Sequence, residues 1–109
     1  MKVGLFGANG RMGRVLIEAL DLSDDAELSV ATVRDDSPWV GLNVGELAGI
    51  GKKEIDCSAL SSLSGSDADV MIDFTLPSVI KSNLSWCVEN TMPVVIGTTE
   101  FRTANINFN

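Results

Sequence analysis

Lys2-Val3-Gly4-Leu5-Phe6-Gly7-Ala8-Asn9-Gly10-Arg11-Met12-Gly13-Arg14-Val15-Leu16 opens the chain and decides its fold. Residues 2–6 read as a strand, Gly7-Ala8-Asn9-Gly10 as a tight turn, and a helix runs from about Arg11 to Leu22. Along that helix Met12, Val15, Leu16, Ala19 and Leu20 fall at i, i+3, i+4, i+7 and i+8, the spacing of one helical face. Glycine in such a turn reaches backbone angles closed to other residues and carries no Cβ to block a close approach. The helix that starts there aims its unpaired N–H groups and positive dipole end outward, so an anion is favoured. Gly13 permits tight packing of helix on strand.

The rest of the chain repeats the strand–helix alternation. Glu27 to Val33 is rich in β-branched residues and reads as a second strand. Arg34 to about Glu54, with Pro38, Gly41, Gly45, Gly49 and Gly51, reads as a long irregular connection with a helical turn near Glu46-Leu47-Ala48. A loop of that length in a compact domain often lies near a ligand. Ile55–Cys57 reads as a short strand, and Ser58–Leu63 as a brief helix or turn. Asp69 to Phe74 is an apolar run with polar ends, as in a central parallel strand. Pro77 pre-sets the first turn of the next helix, whose face carries Ile80, Leu84, Cys87 and Val88. Pro93 to Gly97 reads as another short buried strand, after which the pattern dissolves. Alternating strands and helices imply an α/β fold, a Rossmann-like doubly wound parallel sheet with right-handed crossovers. The expected organisation is a single nucleotide-binding domain over 1–99 and a divergent or truncated tail over 100–109.

Bulk properties exclude several classes. The chain has 109 residues, 45% of them hydrophobic, which suits one globular domain with its own core. A net charge of −7 argues against nucleic acid as a partner, because phosphate-backbone binding needs a basic surface. A dinucleotide stays admissible, since backbone N–H groups hold its phosphates. No apolar run reaches the roughly 20 residues of a membrane span. The chain starts directly in a strand, leaving no room for a signal peptide, so a cytoplasmic, reduced protein is expected. Cys57 and Cys87 have neither metal nor redox spacing, and Cys87 is read as a buried thiol. There is no histidine, which removes imidazole acid–base chemistry and imidazole metal sites.

The residues that remain point to a dinucleotide. The glycine turn departs from G-x-G-x-x-G, with Ala8 where its first glycine would stand and Asn9 as a tolerable residue at positive φ. The absence of Gly-Lys-Ser/Thr after the turn excludes a P-loop. At the end of the second strand, Thr32-Val33-Arg34-Asp35-Asp36 offers Arg34 for a 2′-phosphate or Asp35 for ribose hydroxyls. A solvated arginine in a charged loop is the alternative. NADPH is the preferred cofactor on this reading, with NADH also accepted. Asp73-Phe74-Thr75 and Gly97-Thr98-Thr99 end two strands on the side where open parallel sheets take ligands. For Thr75 the structural alternative is a helix N-cap. For Asp73 it is a carboxylate satisfying nearby N–H groups, and that reading is favoured over a catalytic one.

Four segments in order resemble one family, 4-hydroxy-tetrahydrodipicolinate reductase (dihydrodipicolinate reductase) of lysine and diaminopimelate biosynthesis. They are V-G-L-F-G-A-N-G-R-M-G at 3–13, E-L-A-G at 46–49, D-V-M-I-D-F-T-L-P at 69–77 and V-I-G-T-T at 95–99. The resemblance implies that Gly7, Ala8, Asn9, Gly10, Arg11 and Met12 hold a pyrophosphate and that Arg34 meets the 2′-phosphate of NADPH. It implies that Phe74, Thr75, Gly97, Thr98 and Thr99 frame the nicotinamide. No metal is implied, and no catalytic residue can be assigned. Two departures stand out: Val33 occupies the position where the family commonly carries an acid, and Glu100 replaces a glycine. The family's second domain binds the dicarboxylate substrate and builds the tetramer, and it has no counterpart in these residues. The chain is therefore read as the cofactor-binding half of the reductase, inactive alone. A non-catalytic dinucleotide-binding module or truncated remnant is the alternative. A homo-oligomer is a further expectation, through apolar surface such as Phe101, Ile106 and Phe108.

Overall fold

The computed structural model describes residues 1–97, so Thr98, Thr99 and the expected tail at 100–109 lie outside the described residues. Five parallel strands form one sheet: β1 (Lys2–Phe6), β2 (Glu27–Val33), β3 (Ser58–Ala59), β4 (Val70–Asp73) and β5 (Val94–Ile96). The helices are α1 (Arg11–Asp21), α2 (Val44–Ala48) and α3 (Pro77–Glu89), with a 3-10 turn at Leu60–Ser62. The strand order is β3-β2-β1-β4-β5. The chain winds outward from β1 to β3, then crosses back to β4 on the other side of β1. That reversal makes a crevice between the loops that follow β1 and β4.

Side chains alternate between two cores because successive strand residues face opposite ways. Leu5, Ala31 and Val33 join Ile17 of α1, Val44 and Leu47 of α2, and Cys57 on one face. Phe6, Val30 and Met71 join Leu63, Cys87 of α3 and Met92 on the other. Phe6 also meets Trp86 edge-to-face, with ring centroids 6.2 Å apart. Fully buried residues such as Leu5, Ile17 and Met71 each contribute about 1.5–3 kcal/mol by leaving water. Helices thus cover both faces, the doubly wound α/β arrangement read from the sequence.

Several local expectations shift. The inward face of α1 is Gly13 and Ile17 with Leu16 and Leu20 beside them, whereas Met12 and Val15 are exposed. On α3 the buried positions are Ile80, Asn83 and Cys87, and Val88 is 78% exposed. The third strand falls at Ser58–Ala59 rather than Ile55–Cys57. There Asp56 makes an antiparallel bridge with Asn43, and Cys57 exchanges backbone hydrogen bonds with Gly41 and Leu42. Among the described residues strand β5 is an edge, with Val95 and Ile96 exposed rather than buried. Both cysteines are free and buried, as expected for Cys87. Burial pushes both thiols above their usual range, with the charge of Asp56 adding at Cys57 and that of Asp73 at Cys87.

Candidate functional site

The turn after β1 is held by its own backbone. Gly7 takes φ 66°, a left-handed conformation that glycine adopts without strain. The Gly10 N–H donates to the Gly7 carbonyl at 3.0 Å, and the Ala8 N–H donates to the Thr32 carbonyl at 3.0 Å. Ala8 is fully buried, so it anchors the turn to β2 instead of facing a ligand. Gly7 is the residue at positive φ in this turn, and Asn9 is not among the positive-φ residues. A Cβ on Gly13 would stand 2.5 Å from the Ala8 carbonyl oxygen, which accounts for glycine where α1 packs on the turn.

Helix α1 then begins without protection. Its N-cap, Gly10, supplies no side-chain hydrogen bond, and its first turn contains no acidic residue. Among the described residues, the N–H groups of Arg11, Met12 and Gly13 find no acceptor. A helix end with open donors and a positive dipole favours an anion beside it. Helix α3 also starts without a side-chain cap or an acid, at Leu76.

These two helix starts border one cleft of about 1090 Å³ at the carboxyl ends of the strands. Gly7, Asn9, Gly10, Arg11, Met12, Arg34, Phe74, Thr75 and Gly97 all line it, and Ala8 does not. The exposed Met12 and Val15 of α1 also face it, together with Val79 of α3. Residues the sequence reading did not single out join from the β2 loop: Asp36, Ser37, Pro38 and Trp39. An aromatic directly after a proline in a long post-strand loop was the available signal for Trp39.

The floor of the cleft is pinned by Asp73, which is fully buried at the end of β4. Its Oδ1 accepts from the Thr75 N–H at 2.9 Å and from Thr75 Oγ1 at 2.5 Å. Its Oδ2 accepts from Asn83 Nδ2 at 2.9 Å. The carboxylate is therefore consumed in shaping the β4–α3 loop. Thr75 is not the N-cap of α3; Leu76 occupies that position. The Thr75 methyl instead sits where a Cβ on Gly7 would come within 2.6 Å of it, closing the two crossover loops on each other. The Phe74 ring lies against Gly97 so closely that a Cβ there would overlap it.

At the other end, Arg34 and Asp36 form an exposed ion pair of 3.4 Å. Asp35 points elsewhere: its Oδ1 accepts the Ser61 N–H at 2.9 Å. That backbone hydrogen bond, with the Ser61 side chain second, holds the Asp35 carboxyl below its ordinary value. Asp36, not Asp35, is the acid at the cleft. Among the described residues no group of histidine, cysteine and carboxylate side chains could hold a metal ion. None of the described helices is long and apolar enough to cross a membrane.

A doubly wound parallel sheet with a glycine turn and an open helix end at its switch point defines a Rossmann-type α/β domain. More particularly, the chain belongs to the family described as dihydrodipicolinate reductase, N-terminus, whose family model matches residues 1–108. It is 53% identical over 98 residues to a 4-hydroxy-tetrahydrodipicolinate reductase of Pseudoalteromonas atlantica, covering 90% of this chain and 37% of that protein. It is 46% identical over 103 residues to the reductase of the same name from Saccharophagus degradans, covering 94% of this chain and 38% of that one. The chain thus spans less than two-fifths of the length of these relatives. Among solved structures, a dipicolinate-bound dihydrodipicolinate reductase from Paenisporosarcina sp. TG-14 matches with TM-score 0.68 and 23% identity, over 99% of this chain and 41% of that one. An aspartate semialdehyde dehydrogenase with NADP from Candida albicans matches with TM-score 0.71 and 20% identity, over 93% and 30%. These two likenesses establish the fold.

Proposed function

We propose that this chain is the cofactor-binding half of a 4-hydroxy-tetrahydrodipicolinate reductase, holding NADPH or NADH in the cleft above β1 and β4. The observation that carries it is the uncapped start of α1, with open N–H groups at the glycine turn inside a cleft of dinucleotide size. Gly7, Asn9, Gly10, Arg11 and Met12 would seat the pyrophosphate there, and Arg34 would meet a 2′-phosphate. Phe74, Thr75 and Gly97, with Thr98 and Thr99, would frame the nicotinamide, which supplies a hydride when bound in reduced form. NADPH is the preferred cofactor because Arg34 stands at the ribose end.

The lining also limits what the chain does by itself. Among the described residues, its titratable side chains are Arg11, Arg34 and Asp36. Asp36 sits at the far end, beside Arg34. Reduction of an unsaturated ring acid needs a proton as well as a hydride, and none of the described residues is placed to give one. Substrate contacts and proton donor therefore belong to a second domain of the kind the longer relatives have room for.

Calorimetric titration of the purified chain with NADPH and with NADH tests the proposal. Saturable binding of either is expected, with no substrate-dependent NADPH oxidation. A folded chain that binds neither contradicts the cofactor reading, and measurable turnover contradicts the division of labour.

A further inference from the structure

The fully buried Asp73 carboxylate meets only neutral donors among the described residues, with no cation beside it. Two of those donors belong to Thr75, and the third is Asn83 Nδ2, which reaches Oδ2 from the second turn of α3. Asn83 is 3% exposed, and its Oδ1 has no hydrogen-bond partner. A buried acceptor left open costs stability, and what offsets that cost here is the N–H given to Asp73. A carboxylate only accepts, so the Thr75 hydroxyl is the donor in its bond to Asp73 Oδ1, and its proton points inward. Asn83 Nδ2 also approaches Thr75 Oγ1, at 3.5 Å. A hydroxyl has one proton and two lone pairs, so Thr75 keeps only a lone pair for the cleft it lines.

We infer that Asn83 is a positioning residue: through Asp73 it fixes Thr75 as an acceptor toward the cleft, which takes a hydroxyl of the ribose beside the pyrophosphate and turns away an anionic oxygen. The inference rests on the dinucleotide reading above. Thr75 stands against Gly7 of the glycine turn, so its hydroxyl acts on the group next to the one that turn holds. Two adjoining parts of the cleft then have opposite polarity. The start of α1 offers N–H groups to an anion, and Thr75, backed by a buried carboxylate, offers a lone pair to a donor. A dinucleotide presents those groups in that order, phosphate and then sugar hydroxyl. A nucleotide that ends in phosphate sets a charge where Thr75 takes a donor. Without Asn83 the Asp73 Oδ2 loses its partner, the carboxylate is released to turn, and the Thr75 hydroxyl can aim its proton into the cleft.

The test is calorimetric titration with ADP-ribose and with ADP of the unmodified chain and of Asn83→Leu, Thr75→Val and Thr75→Ser. ADP-ribose carries the pyrophosphate and the second ribose, whereas ADP ends in a charged phosphate. The unmodified chain is expected to favour ADP-ribose about tenfold or more. Asn83→Leu lowers that preference about three- to tenfold, the size of one neutral hydrogen bond. Thr75→Val lowers it equally, and Thr75→Ser, which keeps the hydroxyl, retains it. A merely structural role for Asn83 would weaken both ligands together and leave their ratio unmoved, and that result in a folded Asn83→Leu chain overturns the inference. If Asn83→Leu does not fold, the Thr75 pair decides, and equal ratios in the valine and serine variants overturn it. An unmodified chain that binds NADPH or NADH but shows no preference for ADP-ribose overturns the inference and leaves the cofactor reading intact. Failure to bind either cofactor overturns both.

Discussion

Helices α1 and α2 start in opposite ways. Helix α2 has only five residues, yet Asn43 caps it by accepting the Gly45 N–H at 3.0 Å, and Glu46 stands in its first turn. Helix α1 has eleven residues and neither device. Asn43 goes further: its Oδ1 also accepts from the Lys53 N–H at 2.9 Å, and its Nδ2 donates to the Lys53 carbonyl at 2.7 Å and to Asp56 Oδ1 at 3.0 Å. At α2 this chain satisfies its own helix end and ties the neighbouring loop to it. Where the cleft lies, α1 begins open at Gly10, whereas α3 begins with Pro77, which has no N–H, and its Val79 N–H donates to the Leu76 carbonyl at 2.8 Å. Open donors at a helix start cost stability when nothing meets them. The open donors of α1 at the cleft are what support the proposed anion site there.

The contrast predicts that the two ends fail differently. Asn43→Ala removes a nearly buried hub and strands the Gly45 and Lys53 backbone groups, and the expected loss is about 2–4 kcal/mol of stability. Urea denaturation measures it, and dinucleotide affinity should stay unchanged because α2 does not border the cleft. A loss of affinity that matched the loss of stability would blur the distinction between the two helix starts.

The smallest expected effect lies between these regions, at Asp35. Its carboxyl is lowered in the folded chain by the Ser61 N–H, so the charged form is favoured by folding. The resulting stability is present above the ordinary aspartate value of 3.8 and is lost as pH falls through the lower folded value. Comparing chemical denaturation of Asp35→Asn and the unmodified chain should therefore show a constant gap from neutral pH down to about 5 that narrows in stronger acid. A gap that widened on acidification would contradict the assigned sign.

Much of this was legible in the sequence because it is encoded locally. Strand β1, the glycine turn and α1 occupy consecutive residues, and hydrophobic period with glycine placement identifies each. The inward face of α1 differs from the one its periodicity predicts, for a physical reason. Met12 and Val15 are apolar but line the cleft, while Ile17 faces the core, so two apolar stripes compete and period alone cannot rank them. The third strand slipped because Cys57 packs inward while its backbone pairs with Gly41 and Leu42, and apolarity records only the packing. The edge position of β5 depends on strand order, which a short apolar run does not contain. Asp35 and Asp36 are indistinguishable in sequence; what separates them is Ser61, 26 residues away.

The central claim is that the open start of α1 at Gly10 holds a pyrophosphate, and Gly10→Asp tests it most directly. Gly10 has φ −74° and ψ 169°, angles open to any residue, and a Cβ there would come no closer than 3.3 Å to the Gly7 carbonyl oxygen. Aspartate is moreover a favoured N-cap, so the variant should fold with an unchanged or slightly higher Tm. Its carboxylate would occupy the anion's place. The account predicts that affinity for NADPH and NADH falls together by about tenfold or more while stability holds. Undiminished binding of both cofactors by a folded Gly10→Asp chain would contradict it.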